Sequence, residues 1–301
     1  MATAITSTAL RKRADLLRQL RHALDRRDFI EVTTPVMLKV AAGGPKASHP
    51  FEFDGGKYDL RTSIELLLRT ALSAECRVYD IGPAIRLQDR TKGSRSAAEF
   101  SLMECFAADL DYEGLIGLAE ELVMEIKPAL SAPTRISVVD WFARQWGINF
   151  DSGDSAGIRK SLLRIVGGAD GQQPLWELID QVISAHLEPA LRGFVFLTEY
   201  PIETICLANR DPAAPHIAQR FEVFLNAIEI GHGFVDSADP EDVLKRMMEN
   251  GEEFVDSDFV EQMKSGLLPA SAGFGLGIER VLACDDSHLD VHQYLHEYQH
   301  A

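Results

Sequence analysis

"GFGLGIERVLA", residues Gly273 to Ala283, sets three glycines at alternate positions ahead of a Glu-Arg pair and an apolar run. Clustered glycines let a backbone approach a phosphate or a flat ring closely, as in dinucleotide-binding loops. That fingerprint is G-x-G-x-x-G, and it opens a βαβ unit of about 30 residues. Here the spacing is G-x-G-x-G, and 21 residues follow Arg280, too few for such a unit. A period of two instead predicts a strand with its glycines on one face, turning into a helix near Glu279. On such a strand Gly273, Gly275 and Gly277 allow a flat ligand to rest against the backbone. Arg280, opening the helix, can reach a terminal phosphate or cover the face of a base.

Working outward, further strands come mostly as hairpins. "RVYDIGPAIRL" (77–87) and "AEFSLMECFAADL" (98–110) flank the polar loop "QDRTKGSRSA". "GFVFLTEYP" (193–201) precedes "RFEVFLNAIEIGHGFVD" (220–236), where "LNA" suits a tight turn. "DFIEVTTPVML" (28–38) is rich in β-branched residues and predicts a strand stopping at Pro35. Residues 8–27 predict an amphipathic helix with Leu10, Ala14, Leu17, Leu20 and Leu24 on one face. "SIELLLRTALSAE" predicts a second helix, and "YEGLIGLAEELVMEIKPAL" a third, ended by Pro133. Hairpins with helices outside them argue for an α+β fold, an antiparallel sheet flanked by helices. No Pro/Gly/Ser-rich linker divides the chain, so one domain over 1–301 is expected, with a helical insertion at about 150–190.

Composition bounds the function. The 301 residues are 46% hydrophobic and 25% charged, suited to a soluble globular protein with a substantial core. The start lacks a signal-peptide core and no apolar run spans a membrane, so a cytoplasmic protein with no membrane partner is expected. The scattered cysteines Cys76, Cys105, Cys206 and Cys284 fit reduced thiols. A net charge of −16 argues against extensive phosphate contact with nucleic acid, because counterion release at a basic face drives such binding.

Several groups of residues can carry chemistry. Arg86 closes one strand of the first hairpin, Arg90, Lys92 and Arg95 lie in its loop, and Phe100 opens the return strand. A guanidinium fixed at a strand end suits bidentate contact with phosphate or carboxylate, and the aromatic can stack on a base. An exposed basic hairpin tip is the plainer alternative. Glu222 and Glu229 are an odd number apart, yet a turn at "LNA" would return both carboxylates to adjacent strands, where oxygen ligands suit Mg²⁺. A solvated strand face is the alternative there. Glu65, Glu104 and Asp236 complete the set, the first two in apolar contexts where a carboxylate needs a cation or donor. An amine-bearing ligand would supply it, and so would a structural arginine.

In order, these pieces resemble the catalytic core of a class II aminoacyl-tRNA synthetase. "DFIEVTTPVM" with Pro35 resembles motif 1, "IRLQ…AAEFSLME" motif 2 and "GFGLGIER" motif 3. Within the class the likeness is to lysyl-tRNA synthetase, through "FLTEYPIETICLANRD" and "RFEVFLNAIEIGHGFVD", and it covers roughly residues 8–295. The anticodon-reading OB-fold has no room ahead of residue 8, as in the free-standing ligases that charge elongation factor P. The resemblance implies ATP and Mg²⁺ as cofactors. It places Arg86 on the α-phosphate and amino-acid carboxylate, and Phe100 and Arg280 on either side of adenine. Arg95 and Gln88 would lie near the nucleotide, and Glu222 and Glu229 would hold the metal. Glu65 would bind the α-amine; Glu104 and Asp236 would face a side-chain amine, with Phe106, His232 and Phe234 lining the pocket. Departures cluster at the amine end. Gln88 stands for the usual Glu, Ser96 for His, His232 for Asn, Asp236 for Glu and Phe106 for Tyr.

The activity implied is ATP-dependent activation of a lysine-like amino acid and its transfer to a protein or small-molecule amine. A minimal tRNA-acylating core is a second reading, against which the acidic charge and the missing OB-fold count. A catalytically silent paralogue serving as a binding module is a third; the retention of Arg86, Phe100, Glu222, Glu229 and Arg280 counts against it. Motif 1 implies a homodimer in which Leu17, Leu20 and Leu24 pack across a two-fold axis. His288, His292, His296 and His300 recur every four residues, either as a metal-binding helix face or as a frayed polar terminus.

Overall fold

In the computed structural model, the described residues are 6–39, 50–86, 93–167, 173–250, 257–285 and 290–295. The first helix, α1 (Ser7–Asp25), starts where the Thr6 hydroxyl accepts the Ala9 N–H. Its buried face is Ala9, Leu16, Leu20, Ala23 and Leu24, so Leu20 and Leu24 belong to the chain's own core. The stripe that turns outward holds Leu10, 51% exposed, and Ala14. The expected single apolar face is therefore two stripes, and only the outer one is open to a partner.

The strand expected up to Pro35 is shorter. β1 (Ile30–Glu31) pairs in parallel with β5 (Arg77–Ile85), and Val32 N–H still reaches the Tyr79 carbonyl at 2.8 Å. Beyond it the ladder is replaced by a side chain. The Asp80 carboxylate accepts both the N–H and the hydroxyl of Thr34, at 3.1 and 2.6 Å, and Pro35 has no N–H to pair. Arg61, 1% exposed, locks the junction by donating to the carbonyls of Pro83 (2.6 Å) and Thr34 (2.9 Å) and to Asp80. A small antiparallel sheet follows from β2 (Met37–Leu38), β3 (Phe51–Phe53) and β4 (Gly56–Leu60), with β4 in the middle. After α2 (Glu65–Ala71), β5 and β6 (Glu99–Ala107) form the expected hairpin in register from Arg77↔Ala107 to Ile85↔Glu99. Gln88, Arg90 and Lys92 lie outside the described residues.

α3 (Tyr112–Ile126) ends before Pro128 rather than running on toward Pro133, since the residue ahead of a proline disfavours helical backbone. The chain forms two compact units, Met1–Asp109 with Gly117–Ala129 and Gly273–Ala301, and Leu110–Ile116 with Leu130–Ala272. In the second unit β7 (Thr134–Ser137) leads into α4 (Val138–Trp146), with α5 (Ser155–Val166) and α6 (Leu175–Val182) beyond. Phe142, Leu162 and Leu178 of these helices pack with Leu197 and Phe224 in one apolar cluster. Leu197 comes from β8 (Phe194–Pro201), which is followed by β9 (Ile217–Leu225) and β10 (Ile228–Val235). The turn between the last two is Asn226-Ala227, both at positive φ, the geometry that matches the twist of paired strands. Their order is β10-β9-β8-β7, antiparallel except for β7 with β8. α7 (Pro240–Glu249) and α8 (Ser257–Lys264) complete the unit.

The opening stretch is a strand that becomes a helix, β11 (Ala272–Gly277) and α9 (Ile278–Ala283). In the first unit the strand order is β1-β5-β6-β11. The architecture is thus mixed helix and mostly antiparallel strand pairing. No helix among the described residues is long and apolar enough to cross a membrane. His292 sits in a short 3₁₀ turn, Val291–Tyr294, and the other three C-terminal histidines lie outside the described residues.

Candidate functional site

In the first unit the functional candidates gather around β5, β6 and β11. Arg86 directly follows β5, its own N–H held by the Ala98 carbonyl at 2.7 Å and its Nε donating to the Thr62 carbonyl at 3.1 Å. Its guanidinium lies over the Phe100 ring, 5.2 Å from the centroid. The arginine is therefore anchored through its Nε, and one ring face of Phe100 is already covered by a cation. Arg280, in the first turn of α9, donates from Nε to the Arg95 carbonyl at 3.3 Å, which ties α9 to the hairpin loop. Arg95 itself is exposed.

Glu104 already has donors from its own chain. It is buried, and it accepts from the Ser63 hydroxyl at 3.0 Å and the Ile64 N–H at 2.7 Å, at the start of α2. Those donors offset the cost of burying the charge. Glu65, one residue into the helix, is 3.9 Å from Arg69. A Cβ at Gly275 would stand 3.2 Å from Glu104 Cγ, and one at Gly273 would enter the Phe106 ring. At two of the three glycines, Gly273 and Gly275, the space expected to meet a flat ligand is filled by the chain itself. Phe106 is a core residue, packed with Ile64, Leu68 and Leu102. Only at Gly277 is the nearest atom, at 3.8 Å, in ordinary contact.

In the second unit the β9–β10 hairpin carries the other set. Glu222 stands opposite His232, and Phe224 opposite Glu229. Side chains paired across strands share a face, as do residues two apart on one strand, so Glu222, Glu229 and His232 lie on one face. Glu222 bonds to Arg220 and accepts from the Tyr200 hydroxyl at 2.6 Å, while Arg220 stacks on the Tyr200 ring at 4.5 Å. Asp180 of α6 faces this group. Burial pushes its carboxyl up to about 7; Arg220 opposes that shift, and Glu222, Glu188 and Glu229 reinforce it. Tyr200 and Arg220 escaped the sequence reading, although Arg220 lies two residues before Glu222 on a strand and so must share its face.

Mg²⁺ takes one or two carboxylates and completes its shell with substrate phosphates and water. Glu222 and Glu229, hard oxygen donors on one face of neighbouring strands, fit that requirement. Among the described residues no group of three or more His, Cys, Asp or Glu side chains is arranged to hold a metal by itself.

Asp236 is 2% exposed and sits just past β10. Its N–H donates to the Ser271 carbonyl at 2.8 Å, and its carboxylate accepts from the Ser271 hydroxyl. Phe234 is buried in a small cluster with Ile202, Ala208 and Ala218. In the first unit the Cys105 thiol is pushed up to about 12 by burial, so it is a poor nucleophile.

Comparison with known proteins places this arrangement. The family described as "tRNA synthetases class II (D, K and N)" matches residues 2–285. A lysine–tRNA ligase of Roseiflexus castenholzii is 29% identical over 304 aligned residues, covering 90% of this chain and 61% of the relative. Those of Chloroflexus aurantiacus and Dehalococcoides mccartyi are 29% and 27% identical. The chain spans about three fifths of the length of these relatives, 61% and 62% in the last two. With a family match running over nearly all of its residues, the chain belongs to the class II tRNA synthetases of the D, K and N group.

Proposed function

We propose that this chain activates a basic amino acid with ATP and passes the aminoacyl group to an acceptor amine. The observation that carries the reading is Arg86, fixed at a strand end against Phe100 in a chain of this family. The amino-acid carboxylate attacks the α-phosphorus in line, a P–O bond forms, and pyrophosphate leaves with the electrons of the bond broken. No carbon–hydrogen bond changes, so positioning and charge neutralisation supply most of the rate. Arg86 holds the α-phosphate and the carboxylate together, and Arg280 takes the outer phosphates and one face of the base, with Phe100 on the other. Glu222 and Glu229 would hold Mg²⁺, which supplies neutralisation of phosphate charge. Glu65 receives the α-amine, and Asp236 with Glu104 the far end of the substrate. The chain is read as one catalytic domain, with the helices at 150–190 as an insertion.

A basic side chain is favoured because the relatives are named as lysine ligases and because two buried carboxylates, Glu104 and Asp236, stand among the candidates. A protein or small-molecule amine is favoured as acceptor over tRNA by the net charge of −16. The relatives' name keeps tRNA aminoacylation as a second reading. ATP–pyrophosphate exchange without tRNA, run over a panel of amino acids, tests the proposal. Exchange confined to basic amino acids is expected, and about a thousandfold or greater loss in Arg86→Ala and Arg280→Ala. Exchange with none of the panel, or full exchange in both variants, would sink it. Acylation of bulk tRNA by the same protein would move the acceptor to the second reading.

A further inference from the structure

One buried carboxylate ties the two candidate nucleotide-stacking residues together. Glu279 is 2% exposed, with its Oε2 accepting the Ser101 N–H at 2.8 Å. Arg13 of α1 closes a triangle, its Nε 3.6 Å from Glu279 Oε1 and its Nη2 donating to the Ser101 hydroxyl at 2.6 Å. Ser101 directly follows Phe100, and Glu279 directly precedes Arg280. Ser101 stands opposite Pro83 on β5, and β6 has β11 on its other side. β11 ends at Gly277, and the carboxylate of Glu279, in the turn that follows, accepts the Ser101 N–H.

We propose that Glu279 is a positioning residue for the nucleotide, a carboxylate strut that fixes the spacing between Phe100 on β6 and Arg280 on α9. The proposal rests on the adenylation reading, in which those two side chains hold opposite faces of one base. Without the strut, Ser101 N–H loses its acceptor and α9 loses a side-chain tie to β6. A shift of a fraction of an ångström between the two flanking side chains opens a stacking slot that a flat ring must fill snugly. Arg13 extends the strut to α1, one residue from the outward-facing Ala14. The amino-acid end of the site has no part in this triangle. The inference therefore separates ATP from the amino acid.

Three variants test it: Glu279→Ala, Glu279→Gln and Arg13→Ala. Equilibrium dialysis with labelled ATP and Mg²⁺ gives nucleotide affinity without amino acid. Pyrophosphate exchange gives KM for whichever of L-lysine, β-lysine and ornithine the wild type activates. Glu279→Ala should weaken ATP binding about tenfold or more while amino-acid KM stays within about twofold. Glu279→Gln keeps an oxygen that accepts the Ser101 N–H, so its ATP affinity should stay within about threefold of wild type. Arg13→Ala should fall between them, and because Arg13 is 30% exposed it carries the test should Glu279→Ala fail to fold. Wild-type ATP affinity in Glu279→Ala, or in Arg13→Ala in its place, overturns the inference and leaves the adenylation reading intact. Equal losses in the Gln and Ala variants also overturn it, because charge rather than the bond to Ser101 would then be responsible. A wild-type protein that binds no ATP overturns both.

Discussion

Glu229 and His232 lie on the same face of β10, with His232 Nδ1 3.8 Å from Glu229 Oε1. They are three positions apart, with two residues between them, so regular alternation would put them on opposite faces. The register shifts between Glu229 and Gly231, and that extra residue restores the common face. The two-residue turn, which pairs Glu229 with Phe224, sets Glu229 on the face of Glu222, and the bulge brings His232 opposite Glu222. Each carboxylate should then be needed for the metal. Glu222→Gln and Glu229→Gln are expected to reduce pyrophosphate exchange by about a hundredfold or more, with the fold unchanged. Mn²⁺ titration followed by electron paramagnetic resonance, with ATP present, should show weaker binding in both. Wild-type Mn²⁺ binding in either variant would take that residue out of the metal site.

The glycines of β11 should differ sharply in their tolerance of alanine. At Gly273 the added Cβ would enter the Phe106 ring, which is locked in a core cluster. Overpacking of that kind costs about 1–3 kcal/mol or more. At Gly275 the neighbour is Glu104 Cγ at 3.2 Å, and Glu104 is pinned by Ser63 and Ile64, so an intermediate loss is expected. At Gly277, with 3.8 Å to the nearest atom, the change should stay within about 0.5 kcal/mol. Urea unfolding of the three variants checks the order. A Gly273→Ala protein as stable as the wild type would mean that Phe106 has room to move.

Hairpins and motif order were legible in the sequence because alternation and tight-turn residues are local signals, as at Asn226-Ala227. The shortened β1 was not, because what replaces its ladder is the Asp80 side chain, 46 residues from Thr34. The outward stripe of α1 was hidden for a related reason. Leu10, Ala14, Leu17, Leu20 and Leu24 look like one face, and only packing decides that Leu16 and Ala23 join Leu20 and Leu24 inside. The partners of Glu104 were equally out of reach, since Ser63 and Ile64 lie 41 and 40 residues away. Glycines at period two announced a close approach. They did not say that the approaching groups are Phe106 and Glu104 of the same chain.

Asp180 predicts a pH dependence of stability. Its carboxyl, raised by burial from 3.8 to about 7, binds its proton more tightly in the folded state than in the unfolded one. Its contribution is therefore fully present below about pH 4 and is lost as pH rises through about 7. Asp180→Asn removes that proton exchange. Urea midpoints of wild type and variant, measured from pH 4 to 8, should converge or cross in the variant's favour toward pH 8. Parallel curves would show that Asp180 ionises as it does in the unfolded chain.

The outward stripe of α1 bears on assembly. Leu10, 51% exposed, and Ala14 line a groove with Ser7, Arg11, Asp15 and Arg18, and the resemblance to motif 1 assigns this region to a two-fold interface. A dimer of the 33.3 kDa chain is expected in solution, and Leu10→Glu with Ala14→Glu should convert it to monomer. Multi-angle light scattering at micromolar concentration decides. A wild-type monomer would count against both the dimer and the motif 1 assignment of Pro35.

Asp236 carries the sharpest expectation for specificity. Its carboxylate is 2% exposed and already accepts from Ser271, so a substrate amine must share it with that hydroxyl. Where lysyl enzymes carry Glu, Asp is one methylene shorter, and its oxygens stand back by about one C–C bond length of 1.5 Å. A lysine ammonium is left short of direct contact, while a differently branched amine or a bridging water fills the gap. Wild-type enzyme should therefore prefer a basic amino acid other than L-lysine, and Asp236→Glu should shift selectivity toward L-lysine. Ser271→Ala separates the two demands on the carboxylate. Removing the competing donor should strengthen binding of the preferred amine, whereas a hydroxyl that merely orients the carboxylate would make its loss harmful. Exchange rates for L-lysine, β-lysine and ornithine in the three proteins give the answer. If wild type and Asp236→Glu both favour the same neutral or acidic amino acid, Asp236 does not face an amine and the basic-substrate assignment fails.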